Sequence, residues 1–172
     1  MQNKINFGSG KNYLNGYLNC DISNDNKIDK IVDLEKKLPF KDNSVDEVIL
    51  RMVLEHTQRP IDVMNELYRI CKNKAIIKIT VPYFSCENAF SNITHYHQFS
   101  YTSFDLFEPS HSQHWQGCGN FKIIKKELHW RKPFILFELL FNIHPKVTRL
   151  YQELFCWILP ARELEIILEV IK

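Results

Sequence analysis

Residues 38–82 read LPFKDNSVDEVILRMVLEHTQRPIDVMNELYRICKNKAIIKITVP, and the fold class follows from their pattern. Within them, residues 46–51 (DEVILR) form an apolar run entered from Asp42-Asn43-Ser44, a turn-forming cluster. Pro60 suits a first helical turn, and Ile61, Met64, Leu67, Tyr68 and Cys71 recur at spacings of three and four. Asp62, Asn65, Glu66, Arg69 and Lys72 fall mostly on the opposite face. Asn73-Lys74 interrupts the pattern, and residues 75–81 (AIIKITV) make a β-rich run stopped by Pro82. Strand, amphipathic helix and strand in succession form a βαβ unit, which places the two strands parallel in one sheet.

Working outward, residues 4–7, 17–21 and 30–33 read as further short strands ahead of this unit. Only ten residues separate Gly10 from Asp21, too few for a normal strand–helix–strand crossover, so the first crossover is expected to be shortened. Beyond Pro82 the periodicity fades, apart from a short helix opened by Thr102-x-x-Asp105. Residues 121–130 return to strand character. A strongly amphipathic helix follows over 147–158, and a strand alternating Leu, Ile and Val with Glu closes the chain at 163–170. The expectation is one α/β domain over 1–172, with a ligand-binding half at 1–82 and a loop and apolar-helix half at 83–172.

Composition narrows the function classes. A chain of 172 residues with 45% hydrophobic and 24% charged content is a folded domain rather than a disordered segment. The formal charge of +2 argues against a nucleic-acid partner, although Lys125, Lys126, Arg131 and Lys132 form a local basic cluster. Five scattered cysteines without a C-x-x-C pair predict buried free thiols rather than a disulfide framework. The start, MQNKINFGSG, does not read as a signal peptide, and the chain is expected to be cytoplasmic.

Three features carry chemistry. The turn Gly8-Ser9-Gly10 after the first strand serves either as a tight turn or as a close approach for a ligand; a third glycine is missing because Asn12 stands in its place. Asp21 and Asp33 close the next two strands, where ligands of open parallel sheets bind. There a carboxylate can accept ribose hydroxyls, or can simply form a turn. His95 and His97 lie in the loop after the fifth strand and are the candidate catalytic residues, against a hydrogen-bonded aromatic lid; His56 is expected in a structural turn. His111, His114 and Cys118 match no metal spacing, and no metal is expected.

Together the segments INFGSG, NCDIS, VDLEKKLPFKDNSVDEVILRMVLEHT and RPIDVMNELYRICKNKAIIKITVP resemble the class I S-adenosylmethionine-dependent methyltransferases. The likeness is greatest to a small bacterial branch often associated with surface-polysaccharide biosynthesis. The resemblance implies a Rossmann-like, mostly parallel sheet whose closing strand ELEIILEVIK is antiparallel. It also implies S-adenosylmethionine as cofactor, S-adenosylhomocysteine as product, and a sugar, polysaccharide-precursor or other small-molecule acceptor. Position by position, it sets Gly8 and Gly10 beside the methionyl part and Asp21 on the ribose. Asp33 and the Leu34 amide fall on the adenine, and the Arg51 backbone on the methionyl ammonium. Asn6, standing where many members carry an acid, joins the cofactor-binding set.

Two alternatives stay open. A nicotinamide-dependent oxidoreductase requires a complete Gly-x-Gly-x-x-Gly and a full first crossover helix. A non-catalytic cofactor-binding or scaffold member of the same fold would tolerate the shortened front end. The apolar stretch PFILFELLFNI at 133–143 is too short to span a bilayer. Core or subunit packing is expected first, with a substrate cover, a homodimer contact through 133–159 or a membrane-surface patch as the other readings.

Overall fold

A computed structural model of the chain describes residues 3–24, 27–116 and 119–172. Seven strands form one sheet: β1 Lys4–Phe7, β2 Leu18–Asp21, β3 Lys30–Ile31, β4 Val45–Arg51, β5 Cys71–Pro82, β6 Phe121–His129 and β7 Glu163–Val170. Their order is β3-β2-β1-β4-β5-β7-β6. The first five strands are parallel, and β7 lies antiparallel between β5 and β6. The fold is therefore α/β with an antiparallel closing strand, as the sequence implied. Helix α1, Pro60–Ile70, makes the β4-to-β5 crossover, while α2, Leu136–Phe141, and α3, Pro145–Leu154, lie between β6 and β7.

Strand alternation explains the core. Val48 and Leu50 of β4, Ile77, Ile79 and Val81 of β5, and Leu164, Ile166, Leu168 and Val170 of β7 are all buried. Helix α1 adds Val63, Met64, Leu67 and Ile70 to the same cluster. Each such side chain contributes roughly 1.5–3 kcal/mol by leaving water. The opposite sheet face carries Lys4, Glu47 and Lys78, which neighbour one another across β1, β4 and β5. Glu47 accepts from Tyr17 at 2.8 Å and Lys78 at 2.7 Å through Oε1, and pairs with Lys4 at 2.9 Å through Oε2.

The shortened first crossover has a specific solution. Residues 8–17 contain turns and no helix, so their backbone groups need other partners. Two buried asparagines supply them. Asn6 donates through Nδ2 to the Asn12 carbonyl and to Asn19 Oδ1, both at 3.0 Å. Asn19 accepts from the Leu14 amide and donates to the Leu14 and Tyr17 carbonyls.

Some boundaries differ from expectation. Strand β3 stops at Ile31 because its partner β2 ends at Asp21. Strand β5 begins at Cys71, directly after α1, and a register irregularity opposite Val45–Glu47 absorbs Asn73-Lys74, with Lys74 at φ 64°. Thr102-x-x-Asp105 leads into one turn of 3-10 helix, Asp105–Phe107. Helix α3 ends at Leu154 rather than 158. The buried Tyr151 hydroxyl accepts from the Ala161 amide and donates to the Leu159 carbonyl, folding the chain back.

Core packing describes only part of the apolar stretch at 133–159. Phe137 and Phe141 pack on the core, and Trp130 and Tyr151 are buried beside them. Yet α2 contains no buried residue, and Leu136, Leu139, Ile143, Trp157 and Ile158 are each more than two-thirds exposed. Cys20, Cys71, Cys86 and Cys156 are buried free thiols, while Cys118 lies outside the described residues. Among the described residues no helix is long and apolar enough to cross a membrane.

Candidate functional site

Strands β1 and β2 end side by side, and the residues after each end build a cleft. After Phe7 the chain turns through Gly8 at φ +63° and Gly10 at φ +47°, conformations that favour glycine. At Gly8 there is a second requirement: a Cβ would lie 2.3 Å from Val53 Cγ2. Val53 follows Met52, itself left-handed at φ 55°, where the chain leaves β4. Asp21, at the end of β2, accepts the Gly10 amide on Oδ2 at 2.8 Å and the Ser23 amide on Oδ1 at 3.0 Å. Two amides thus fix the carboxylate and leave lone-pair capacity on each oxygen for a ligand hydroxyl.

Gly8, Asp21, Asp33, Leu34, Val53 and His56 are among the residues lining this cleft of about 190 Å³. Asp33 accepts the Glu35 amide at 3.0 Å and pairs with Lys36 at 3.1 Å, contacts that hold its carboxyl below the usual range. Gly10 stands behind the cleft, as donor to Asp21. Arg51 ends β4 with its guanidinium 3.9 Å from Glu163 and does not line the cleft. Asn6, only 4% exposed, is also not a lining residue, because its side chain holds the first crossover loop.

A second, larger cleft of about 510 Å³ opens beside α1, with Leu54, Gln58, Pro60, His97, Phe99 and Phe104 on its walls. The segment 54–60 separates the two clefts, sending His56 and Thr57 to one and Leu54 and Gln58 to the other. The two candidate histidines part company here. His97 lies in the second cleft with Nε2 3.2 Å from the Gln58 carbonyl. His95 instead packs edge-on to His56, with ring centroids 4.6 Å apart, and its Nδ1 lies 3.3 Å from the Ala89 carbonyl.

Glu55, which no sequence spacing singled out, lies beside them. It is 1% exposed, and neither carboxylate oxygen has a hydrogen-bond partner among the described residues. Burial pushes its carboxyl up to about 7. The only sequence sign of it was its place in the Leu-Glu-His segment. His114 opens a 3-10 turn, His114–Gln116, and is bonded to the Leu106 carbonyl and Asn120, and His111 accepts the Gln113 amide. The third member of that reading, Cys118, lies outside the described residues.

Residues 17–79, from β2 into β5, match the methyltransferase domain family. The chain superposes on an S-adenosylmethionine-dependent methyltransferase from Archaeoglobus fulgidus with a TM-score of 0.65 at 15% identity, over 98% of this chain and 86% of that one. The fold is that of the class I methyltransferases. A Mesorhizobium loti S-adenosylmethionine-dependent methyltransferase gives a TM-score of 0.61 at 11% identity, covering 97% and 90% of the two chains. The [4+2]-cyclase SpnF gives 0.62 at 13% identity, covering 99% and 75%. No curated protein matches significantly.

Domain match and fold together support an S-adenosylmethionine-dependent methyltransferase, with S-adenosylmethionine as cofactor. The cleft fits that group on two observations. Gly8, held to glycine by its φ and by Val53, presents bare backbone to the cleft, and the amide-held Asp21 beside it has the chemistry to accept a ribose diol.

Proposed function

We propose that the chain methylates a hydroxyl-bearing small molecule, a sugar or polysaccharide precursor being the class its resemblance suggests. Bound S-adenosylmethionine supplies an activated methyl group on a sulfonium. Asp21 would hold the ribose, Asp33 and the Leu34 amide the adenine edge, and the Gly8 and Gly10 turn the methionyl end. Arg51, outside the cleft lining, would act through the Met52–Val53 turn it leads into rather than by contact. Asn6 would act through the loop it anchors rather than by contact. Residues 1–82 would form the cofactor half and 83–172 the acceptor half of one cytoplasmic domain.

The observation that carries this reading is the adjacency of the two clefts across segment 54–60, one lined by Asp21 and Gly8, the other by His97. Such an arrangement would bring an acceptor near a donor, and alignment of the two can be worth ~7–11 kcal/mol. His97, whose Nε2 donates to the Gln58 carbonyl, would accept an acceptor proton on Nδ1. His97→Ala is expected to lower turnover by about 10²–10⁴-fold while leaving S-adenosylhomocysteine affinity unchanged. The reading is tested by incubating the protein with methyl-labelled S-adenosylmethionine and a panel of sugars, nucleotide sugars and short oligosaccharides. Label in a sugar product supports it.

A second reading has its own observation: the first crossover lacks a helix, and SpnF, of the same fold, is a [4+2]-cyclase. A non-catalytic cofactor-binding scaffold would bind S-adenosylhomocysteine with no labelled product from any acceptor.

The exposed Leu136, Leu139, Ile143, Trp157 and Ile158 support a homodimer contact that would take this apolar surface out of water. Leu139→Asp combined with Ile143→Asp is expected to convert a dimer to a monomer in sedimentation velocity without lowering the melting temperature of the monomer. The basic cluster does not speak for a nucleic-acid partner, because Lys125 pairs with Glu127 and Lys126 with Asp105.

A further inference from the structure

Between the two clefts, Glu55, His56 and His95 each bring one ligand-type atom within 4.8 Å of the others. Their hydrogen bonds decide what each presents. The Thr94 hydroxyl donates to Asn92 Oδ1 at 2.9 Å, so its contact with His56 Nδ1 at 2.8 Å has the imidazole as donor. Asn92 Oδ1 also accepts the Thr94 amide at 3.0 Å, which fixes the amide orientation that this assignment needs. On His95, Nδ1 faces the Ala89 carbonyl at 3.3 Å, a group that only accepts. Each ring therefore carries its proton on Nδ1 and leaves Nε2 as a lone pair.

Glu55 completes the set with a buried carboxylate whose oxygens have no hydrogen-bond partner among the described residues. Two imidazole lone pairs and a buried carboxylate converge here, a set that either a proton on Glu55 or a bound cation satisfies. The second contacts are also those of a built site, since metal-ligating histidines commonly donate their other ring N–H to a carbonyl or similar acceptor. Exposed His56 and half-buried His95 give the route of entry. Side-chain rotation from the observed separations can bring the three to about 2.0–2.2 Å from a common ion.

We propose that Glu55, His56 and His95 bind a divalent transition-metal ion of the zinc type. Two imidazoles and one carboxylate leave a position open for an exogenous oxygen, as in catalytic rather than structural sites. His56 also lines the Asp21 cleft, so that oxygen would sit at the border of the proposed cofactor site. The proposal stands apart from the methyl-transfer reading, and its test involves neither cofactor nor acceptor.

The experiment is calorimetric titration of tag-free, metal-stripped protein with ZnCl₂, alongside Co²⁺ absorption spectroscopy. The expected result is one ion per chain, a higher melting midpoint with Zn²⁺, and a cobalt spectrum without a thiolate charge-transfer band. His56→Ala and His95→Ala, both outside the core, should each weaken Zn²⁺ binding at least about tenfold while His111→Ala leaves it unchanged. Circular dichroism checks that the variants fold. Should one fail to fold, the wild-type stoichiometry and cobalt band still decide. Absence of stoichiometric binding, a thiolate band, or unchanged binding in the His56→Ala/His95→Ala double variant would overturn the proposal.

Discussion

Gly8→Ala is expected to abolish measurable S-adenosylhomocysteine binding, a loss of more than about 100-fold. Two effects act together. The φ of +63° costs an L side chain roughly 1–2 kcal/mol, and the new methyl would stand 2.3 Å from Val53 Cγ2. Val53 is β-branched and stiff at χ1, so the backbone after β4 must shift instead, and that backbone walls the cleft. Adding Val53→Ala should recover part of the affinity by removing the collision, leaving the φ strain in place. Calorimetric titration of the single and double variants checks both statements. Wild-type affinity in Gly8→Ala would remove the glycine turn from the site.

The second large effect is on stability against acid. Glu47 lies under the sheet's polar face, where burial alone would raise its carboxyl. Hydrogen bonds from Lys4, Lys78 and Tyr17 outweigh burial and hold it at about 2. The group is ionised in the folded protein at pH values where the unfolded chain, near 4.5, takes up a proton. Its contribution is therefore complete above about pH 4.5 and is lost as pH falls towards 2. A depression of this size corresponds to about 3 kcal/mol, and the carboxylate is only 14% exposed, so solvent screening removes little of it. Glu47→Gln should lower urea-unfolding stability by about that amount at pH 7. The gap between variant and wild type should then close as pH falls from 5 to 2. A constant gap would show that packing, not charge, accounts for the loss.

Much of the fold was legible because its signals are local. The βαβ unit at 46–82 carries its own turn, helix start and apolar periodicity, and each agrees with the next. The closing strand was legible for the same reason, its Leu, Ile and Val alternating with glutamates through residue 169. Asp21 and Gly8 could be placed on one cleft because parallel strands end at the same edge, so chain order alone brings them together.

What was not legible depends on contacts across the chain. Glu55 and His95 are forty residues apart in sequence, and no spacing rule connects a 3-10 turn after β4 with a loop after β5. The resemblance sets Asn6 in the cofactor-binding set, where many members carry an acid. Strand parity puts it on the face opposite Ile5 and Phe7, where it meets Asn19 and replaces the hydrogen bonding of a missing helix. The apolar run at 133–143 carried a composition signal without a direction. Hydrophobic content says that a surface should be covered, and only the three-dimensional arrangement shows that this chain does not cover all of it.

The central claim is that the cleft between Gly8 and Asp21 binds S-adenosylmethionine and its product, and a direct affinity measurement tests it best. S-adenosylhomocysteine should be titrated into wild-type protein and Asp21→Ala by calorimetry. Two hydrogen bonds to a charged carboxylate are worth ~1.5–3 kcal/mol each. The account predicts one site in the wild type, weakened by roughly 10²–10⁴-fold in the variant. Equal affinity in both proteins, or no binding to the wild type, would contradict it.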